Sequence, residues 1–383
     1  MKVLWVNPSF LDYRVPLYEE LNNCFNGNFH VLFSKSRIPE RVVEKVARAL
    51  GANSYGLEGE RFLRLGRQGE LSNQGVQIPF QSGLLRAITE IKPDLIIGEG
   101  FFQWTPVVAY YARKRGIPFW IAYERTFHTE RNCPIWRKIY RKVINRFVTG
   151  YLANGSLTAE YLKAEINTAN RPIIEGCMSA DGANLSSRVE GIKQKETKEV
   201  KGKGITYLFV GQLIFRKGIL ELCEAWTTHT KRFPEDVLLV IGDGDLRGRI
   251  QEIISSYSSV RILGSVDYDD IYQHYANADV FIMPTLEDNW SLVVPEAMAC
   301  GLPVATTFYN GCYPELVKEG KNGKVFDSLN PESILEALEY FHSQDLSEMG
   351  KESVKIESNY SPKEVAQRIA SAILAHKGNL QVK

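Results

Sequence analysis

Two carboxylates, Asp288 and Glu296, have the residue types and the spacing to hold a ligand rich in hydroxyl groups. Asp288 lies in a loop that follows an apolar run at 278–283, and Glu296 lies in the short helix that this loop leads into. A carboxylate can accept hydrogen bonds from both hydroxyls of a vicinal diol, while the first amides of a helix suit a phosphate. The pattern therefore predicts a site for a ligand that carries sugar hydroxyls on either side of a diphosphate.

Prolines and glycines set the limits of the elements around these carboxylates. The apolar run is typical of a buried parallel strand, and Pro284 ends it. The helix opens near Ser291, accommodates Pro295 in its first turn, and closes at Gly301 before a new strand. This order of strand, loop, helix and strand predicts that both carboxylates lie at one edge of a parallel sheet.

Residues 284–307 resemble the paired-glutamate signature of the group-1 retaining glycosyltransferases of the GT-B fold, with Asp288 in place of the first glutamate. Upstream, 207–222 resembles the strand, glycine loop and basic residues of that family, and 240–247 its next strand and turn. Gln212 stands where the family usually has an arginine. The resemblance covers the C-terminal half; in the N-terminal half it rests on 3–7 and 13–21.

This resemblance implies an α/β protein with GT-B architecture, in which two Rossmann-like domains face each other across a cleft. It implies that Lys217 contacts the donor diphosphate, and we expect Arg216 to restore the charge that Gln212 lacks. By the same resemblance, Glu296 holds the ribose and Asp288 the transferred sugar. The donor-binding residues expected from it are Gly211, Gln212, Arg216, Lys217, Gly242, Gly244, Leu263, Val266, Asp288, Asn289, Trp290, Ser291, Leu292, Val293 and Glu296.

The N-terminal half contributes the acceptor side of the expected site. The family often places a histidine after the strand that corresponds to 118–123, where it faces the transferred sugar. His128 lies just beyond this strand, whereas a direct alignment of the strand ends places Glu124 there, so both are catalytic candidates beside Lys217, Arg216 and Asp288. Arg14 and Arg125 are expected to contact the acceptor, since ligands bind at the carboxyl ends of strands in open α/β sheets.

The alternation of short apolar runs with helical patterns predicts two parallel sheets. We expect an acceptor-binding domain at 1–185, a charged linker at 186–204, a donor-binding domain at 205–360, and a terminal helix at 361–383 that packs back on the first domain. The predicted strands are 3–7, 29–33, 94–97, 118–123 and 148–153 in the first domain, and 206–210, 237–241, 261–263, 279–283 and 303–306 in the second.

Composition excludes several classes of protein. The 383 residues include 46 basic and 45 acidic side chains, so no global positive field recruits nucleic acid. The 6 cysteines are scattered singly, which favours reduced thiols in a cytoplasm over a disulfide framework. No apolar run approaches the ~20 residues that span a bilayer. We therefore expect a cytoplasmic protein, neither secreted nor transmembrane.

Neither a metal nor a nicotinamide cofactor is expected. Three acidic triplets, at 243–245, 267–270 and 287–289, resemble the metal motif of a different transferase fold. Arg216, Lys217 and the helix N-terminus can carry the charge of the leaving group without a metal. A dinucleotide fingerprint at 242–248 is broken because Arg247 occupies the place of its third glycine.

Residues 134–147 predict an amphipathic helix with an unusual cationic side. Its apolar residues, from Ile135 to Phe147, are expected to cover the sheet, and the basic side is expected in solvent. Five cations without an acidic partner could hold the protein on anionic lipid at about 1 kcal/mol each. The basic side consists of Arg137, Lys138, Arg141, Lys142 and Arg146.

These observations favour a retaining glycosyltransferase that moves a hexose-type sugar from a nucleotide sugar, with a UDP-sugar favoured, to a glycan or lipid-linked acceptor. Surface polysaccharide or glycoconjugate synthesis, at the inner membrane face, is the expected setting. A glycoside hydrolase fits less well, because Asp288 and Glu296 are better placed to hold diols than to straddle a bond. A sugar-nucleotide-binding protein without turnover, or a GT-B epimerase or phosphorylase, remains the alternative.

Overall fold

The computed structural model describes residues 1–65, 76–168, 171–195, 204–268 and 270–381. The chain divides into two compact units, one made of Met1–Ser179 with the chain from Pro362 onward, and one made of Ala180–Ser361. Each unit has its own parallel sheet, so the predicted α/β class with two Rossmann-like units is confirmed. No helix within the described ranges is long and apolar enough to cross a membrane.

The strands alternate with helices along most of the chain, as parallel sheets require. The strands are β1 (Val3–Val6), β2 (Phe29–Ser34), β3 (Ser54–Leu57), β4 (Arg61–Leu65), β5 (Val76–Phe80), β6 (Leu95–Glu99), β7 (Phe119–Tyr123), β8 (Gly150–Ala153), β9 (Ile173–Ile174), β10 (Thr206–Val210), β11 (Val237–Ile241), β12 (Val260–Gly264), β13 (Val280–Met283), β14 (Val304–Thr307) and β15 (Gly323–Phe326). The helices are α1 (Arg14–Cys24), α2 (Glu40–Leu50), α3 (Leu84–Ile91), α4 (Thr105–Arg115), α5 (Ile135–Asn145), α6 (Ser156–Tyr161), α7 (Gly182–Lys195), α8 (Ile219–Arg232), α9 (Arg247–Ile254), α10 (Tyr272–Asn277), α11 (Val293–Ala299), α12 (Tyr313–Leu316), α13 (Pro331–Tyr340), α14 (Leu346–Glu357) and α15 (Pro362–Gln381).

The first unit has a parallel sheet in the order β3-β2-β1-β6-β7-β8-β9, and β4 and β5 form a separate antiparallel hairpin. Alternate residues of β1 enter two different cores. Val3 and Trp5 pack on one face of the sheet with α1, α2 and α15, and Leu4 and Val6 pack on the other with α3 and α4. This period of two buries both faces of the strand, as expected for a central strand of a parallel sheet.

The second unit has a parallel sheet in the order β12-β11-β10-β13-β14-β15. The order of its strands reverses between β10 and β13. These two strands are paired, with Tyr207 opposite Val280 and Leu208 opposite Phe281. Ligands of open α/β sheets bind outside the carboxyl ends of the strands at such a reversal. The loops that follow β10 and β13 are therefore where this fold places a ligand.

The predicted linker at 186–204 differs from the structure, because its first part belongs to α7. Leu185 and Val189 lie one helical turn apart and are both buried, so this charged segment has an apolar side that packs on α10 and α11. Residues 196–203 lie outside the described ranges. The terminal helix predicted at 361–383 is α15, from Pro362 to Gln381, and its apolar residues enter a core of the first unit.

Candidate functional site

The candidate donor site lies at the carboxyl edge of the second sheet, where the loops after β10, β11 and β13 meet. The loop after β10 is joined to its neighbour by backbone bonds from Gly211 N to Ile241 O at 2.9 Å and from Leu213 N to Asp243 O at 3.0 Å. The loop after β13 is joined to it by a bond from Leu286 N to Arg216 O at 2.9 Å. These bonds fix the loops that carry the predicted residues.

Two glycines are required for this close approach of backbones. Gly242 has φ +136°, and a Cβ there would lie 1.9 Å from Gly211 O. Gly218 has φ +65°, and a Cβ there would lie 1.9 Å from Pro284 O. Both positions combine a left-handed backbone with a contact that no side chain allows. Gly242, which the sequence analysis assigned to donor binding, therefore also serves to pack the loops together, and Gly218 does the same without having been singled out.

Lys217 and Asp288 form an ion pair at the centre of this edge. Lys217 Nζ lies 2.5 Å from Asp288 Oδ2, and Arg216 Nη1 lies 3.6 Å from the same oxygen. Both partners of the shorter contact are largely buried, with 12% of each side chain exposed. Burial raises the pKa of Asp288, but Lys217 outweighs burial and brings the pKa below its ordinary value. The structure thus brings Asp288 next to the predicted cations Arg216 and Lys217, which lie about 70 residues earlier in the sequence.

The loop of Asp288 is held by a residue that the sequence analysis did not single out. Asn310 Oδ1 accepts a bond from Ser291 N at 3.3 Å, and Asp288 Oδ1 accepts one from Trp290 N at 3.2 Å. The helix begins at Val293, slightly later than the predicted opening near Ser291. Asn310 lies after β14, outside residues 284–307 that carry the family resemblance. Only the pairing of β13 with β14 in the sheet could have indicated that it reaches the loop of Asp288.

Glu296 is a buried carboxylate on α11. Tyr275 donates to its Oε2 at 3.3 Å, and Tyr268 donates to its Oε1 at 3.5 Å. Burial raises the pKa of Glu296 to about 7, and the two tyrosine hydroxyls oppose this only in part. The neighbouring Asp181 raises it further. No pattern in the sequence pointed to either tyrosine.

The remaining predicted donor residues surround this group. Trp290 is buried and packs against Tyr360 at 6.1 Å between ring centroids. Leu263 lies next to the end of β12 with 42% of its surface exposed, so it presents an apolar surface at the same sheet edge. Gln212 is exposed, and Gly244, Val266, Asn289, Leu292 and Val293 are half-buried.

The first unit has a charged pocket of about 320 Å³ at the carboxyl ends of β1, β6 and β7. Arg14 is buried in its wall, where Arg14 Nη2 donates to Glu99 Oε1 at 3.1 Å. Trp5 Nε1 donates to Glu99 Oε2 at 2.8 Å. Burial raises the pKa of Glu99 above its ordinary value, and Arg14 opposes that rise. The pocket is lined by Asn7, Ser9, Tyr13, Arg14, Glu99, Gly100, Phe101, Phe102, Gln103, Ala122, Tyr123, Glu124, Arg125 and Arg141.

The two alternatives for the residue after β7 lie in different surroundings. Glu124 lines the charged pocket with Arg125, whereas His128 lies in the following turn and is half-buried. The carbonyl oxygen of His128 accepts a bond from Arg131 Nη1 at 2.5 Å. The pocket thus contains Glu124, Arg14 and Arg125 of the predicted residues.

The orientation of helix α5 differs in part from the predicted one. Arg137 and Arg141 are buried, while Ile135, Trp136, Ile139 and Val143 are exposed. The cause is Glu130 in the preceding turn, a buried carboxylate that needs a cation. Burial raises the pKa of Glu130, but the two bonds from Arg141, at 2.6 and 2.9 Å, outweigh it and the pKa is lowered. The prediction of an apolar side on the sheet and a basic side in solvent is therefore wrong for these six residues, whereas Ile144 is buried and Lys142 and Arg146 are exposed as predicted.

A grouping of metal-ligating side chains lies at the other edge of the second sheet. His229 Nε2 and His342 Nε2 each lie 2.8 Å from Asp236 Oδ2. Asp236 Oδ1 accepts a bond from Ile205 N at 2.8 Å, at the amino ends of β10 and β11. Both imidazoles also stack on Phe233. The distances are those of hydrogen bonds, so the three residues join α8 to the segment after α13.

Comparison with known proteins shows that part of the chain is similar to one family. Residues 191–372 match the family described as glycosyl transferases group 1. A segment of 130 residues is 33% identical to an uncharacterized glycosyltransferase of Methanocaldococcus jannaschii and covers 33% of either chain. Another of 152 residues, 39% of this chain, is 27% identical to the alpha-monoglucosyldiacylglycerol synthase of Acholeplasma laidlawii and covers 37% of that protein. The chain thus spans little more than a third of the length of these two relatives.

The similarity in structure extends over nearly the whole chain. The Anabaena protein HepE, in a structure with UDP and glucose, superposes with a TM-score of 0.67 at 16% sequence identity. This superposition covers 97% of the present chain and 99% of the other. Both units therefore share the fold of HepE. This includes the first unit, which lies almost entirely outside the matched residues 191–372.

Proposed function

Residues 191–372 belong to the group 1 glycosyltransferase family, in a chain with the GT-B fold, and on that premise we propose that the protein transfers a hexose-type sugar from a nucleotide sugar with retention of configuration. The observation that carries the proposal is the ion pair of Lys217 with Asp288. It lies where the strand order reverses, and the buried Glu296 lies on the helix that the loop of Asp288 leads into. A cation and two carboxylates at this position suit a ligand with a diphosphate between two sets of hydroxyls.

The chemical step forms a bond from an acceptor hydroxyl oxygen to the anomeric carbon and breaks the bond between that carbon and the donor diphosphate. The diphosphate leaves with additional negative charge and can take up the proton of the acceptor hydroxyl. Lys217 and Arg216 are the cations that stabilise this charge. Lys217 is paired with Asp288, so a diphosphate that binds Lys217 competes with this carboxylate. Asp288 then accepts hydrogen bonds from hydroxyls of the transferred sugar. Glu124 and His128 remain the two candidates from the sequence for contact with that sugar.

The nucleoside end of the donor lies near Glu296. Its two oxygens already accept from Tyr275 and Tyr268, which hold the carboxylate in a fixed direction. An ionised Glu296 accepts both ribose hydroxyls, and Leu263 with Val266 covers the base. Structures of HepE with UDP and with UDP-glucose support a uridine donor. The remaining donor contacts are those expected from the sequence at 211–217, 242–244 and 288–293.

We propose that no metal ion takes part in the reaction. Lys217 and Arg216 offer two positive charges to the diphosphate, which is the role that a divalent cation would otherwise have. Transfer should therefore continue in EDTA. Activity that EDTA abolishes and Mg²⁺ restores would mean that the acidic triplets at 243–245 or 287–289 hold a metal.

The acceptor is proposed to be a glycan or a lipid-linked saccharide of surface polysaccharide or glycoconjugate synthesis. The charged pocket beside Arg14, Glu124 and Arg125 suits a polar acceptor group. The name of the Acholeplasma relative, a synthase of a glucosylated diacylglycerol, supports a lipid-linked acceptor. We therefore propose a cytoplasmic protein that works at the inner membrane face.

A donor screen tests the proposal. UDP-, GDP- and ADP-sugars should be compared by thermal stabilisation and by slow hydrolysis, since a ligand at ~100 times its Kd adds about 2.7 kcal/mol of stability. One class should stabilise the protein and release its nucleoside diphosphate, and NMR should find the sugar in the anomeric configuration of the donor. An inverted product would contradict retention.

The alternative is a nucleotide-sugar-binding protein without transfer. It predicts stabilisation by a donor with no hydrolysis and no transfer to any acceptor. An epimerase would release an altered free sugar, and a phosphorylase would need inorganic phosphate. The ion pair at Lys217 favours the transferase, because a cation held against the diphosphate contributes most when that group leaves.

A further inference from the structure

Helix α5 presents an apolar surface to solvent. Ile135 is 76% exposed, Ile139 59%, Trp136 48% and Val143 44%. Their positions along the helix place them on one side. We call these four side chains the α5 apolar face. Contiguous exposed apolar groups on a soluble protein commonly mark an interaction site.

The opposite side of α5 is fixed by buried polar bonds, so the helix cannot rotate to hide this face. Arg141 forms two bonds with Glu130 and a third with Tyr161 at 2.8 Å. One turn further on, Asn145 Nδ2 donates to Ile166 O at 3.0 Å and its Oδ1 accepts from Tyr151 at 2.7 Å. Exposure of the apolar face is therefore a property of the fold.

Trp136, the aromatic residue of the α5 apolar face, is held by neighbouring side chains. Trp136 packs edge-on against Phe102 with centroids 6.3 Å apart, and Phe102 stacks on Tyr140 at 4.8 Å. The buried Arg137 guanidinium lies 5.2 Å from the Trp136 ring. Tryptophan is enriched where a protein meets the boundary between lipid headgroups and acyl chains. The partial exposure of Trp136 on this side of α5 suits that boundary.

The charges that α5 itself carries are all positive. No acidic residue occurs between Arg131 and Gly150, and Lys142 and Arg146 are exposed beside Val143. Lys138 is partly neutralised by Glu165 at 2.9 Å. A second copy of the chain would bring like charges together. Four side chains also fall short of the ~800 Å² per partner of a standard protein interface. An anionic lipid surface can bind both kinds of group, because its headgroups attract the cations and its acyl chains accommodate the apolar side chains.

We propose that α5 lies in the surface of an anionic membrane, with the α5 apolar face inserted among the lipids and Lys142 and Arg146 on their headgroups. This inference rests on the peripheral location proposed above and not on sugar transfer itself. It differs from the sequence-based hypothesis, which relied on five solvated cations, because two of those cations are buried. Insertion, and not charge alone, therefore provides most of the binding.

Flotation of the full-length protein with vesicles tests the proposal. Vesicles of phosphatidylcholine and phosphatidylglycerol in equal parts are compared with phosphatidylcholine alone. The double variant Ile135→Ser, Ile139→Ser should lose on the order of 10- to 100-fold in partition to the anionic vesicles. The control is Leu374→Ser, another exposed residue of the same unit, which should bind like wild type. Lys142→Gln with Arg146→Gln should lose on the order of tenfold.

Insertion has its own readout in tryptophan fluorescence. Lipids brominated on the acyl chain should quench wild type more strongly than Trp136→Phe, since Trp136 is the member expected in the lipid. Salt near 1 M, where the Debye length is ~3 Å, should weaken binding without abolishing it. Equal quenching of both proteins, or complete release by salt, would overturn insertion.

Two further results would overturn the membrane assignment. One is a wild-type protein that does not float with anionic vesicles at low salt. The other is a dimer in sedimentation that Ile135→Ser with Ile139→Ser dissociates, which would make the face a contact between copies. Hydrolysis of the donor, measured without vesicles, should be the same in every variant. Loss of lipid binding with retained hydrolysis would leave the proposed transferase in place, and the converse would contradict only the transferase.

Discussion

Lys217 is the residue whose role the ligand-free structure constrains most closely. Its ammonium contacts Asp288 at 2.5 Å, so its charge is compensated until a diphosphate arrives. Negative charge on that diphosphate grows as the sugar departs, and a fixed cation stabilises the departing group more than the bound donor. The effect of Lys217 should therefore appear in kcat more than in donor affinity.

Lys217→Ala should lower kcat on the order of 10²-fold or more at saturating donor. The measurement is release of nucleoside diphosphate under steady-state conditions. Lys351→Ala, on the exposed side of α14 in the same unit, is the matched control and should retain wild-type turnover. Undiminished turnover in Lys217→Ala would remove this lysine from the mechanism.

Glu296 gives the donor site a pH dependence. The pKa of its carboxyl is raised to about 7 from an ordinary 4.5, so the ligand-free folded protein binds a proton there that the unfolded chain has lost. The free energy of unfolding should therefore fall as pH rises between these two values. Only the ionised form accepts both ribose hydroxyls. Affinity for UDP should consequently increase as pH rises through about 7.

Glu296→Gln should bind UDP more weakly by roughly 1.5–3 kcal/mol at alkaline pH, where the wild-type carboxylate is charged. Calorimetry across the pH range should find that the variant loses part of the pH dependence. The diphosphate titrates as well, so the difference between the two proteins is the informative quantity. Identical curves would show that Glu296 does not hold the ribose.

At the scale of the element, the buried ion pair of Arg141 with Glu130 determines which side of α5 faces the interior. Arg141 and Glu130 are each 1% exposed, and removal of one partner leaves an uncompensated charge. Arg141→Gln should lower the free energy of unfolding by about 3–5 kcal/mol. Lys142→Gln, the next residue and exposed, should stay within about 0.5 kcal/mol of wild type. Denaturant titration distinguishes the two, and equal stabilities would mean that the pair does not hold the helix.

The sequence predicted those elements whose burial follows from their own residues. The central strands β1, β6, β10 and β13 are short apolar runs, and all four were predicted. The hairpin of β4 and β5 and the edge strand β3 were not, because they place polar or half-buried residues where an apolar run would be needed for recognition. Helical periodicity located α5 but could not say which side is buried.

The residues of the candidate site also fall into those that the sequence could identify and those that it could not. Lys217, Asp288 and Glu296 were identified because they belong to contiguous motifs, and their proximity follows from the parallel sheet. Asn310, Tyr268 and Tyr275 were missed because they reach the site through tertiary packing. For the same reason, the linker prediction failed at Val189, which looks like an isolated apolar residue until α10 and α11 are placed beside it.

At the scale of the whole molecule, the first unit is built from two distant parts of the chain. Ile369 of α15 is fully buried in the same core as Trp5 of β1. Ile369→Ala should lower the free energy of unfolding of this unit by about 2–5 kcal/mol. Leu374→Ala, on the exposed side of the same helix, should cost far less. Hydrogen exchange of β1 compares the two variants, and equal protection would mean that α15 contributes little to this core.

This connectivity also determines the order in which a ribosome can complete the two units. Domains generally fold as they emerge, the N-terminal one first. Here the face of β1 that contains Val3 and Trp5 waits for α15, which is synthesised after all of Ala180–Ser361. The second unit can therefore reach its native state on the ribosome while the earlier-made unit still exposes an apolar sheet face. A growing chain should for this reason recruit chaperones until α15 has left the exit tunnel.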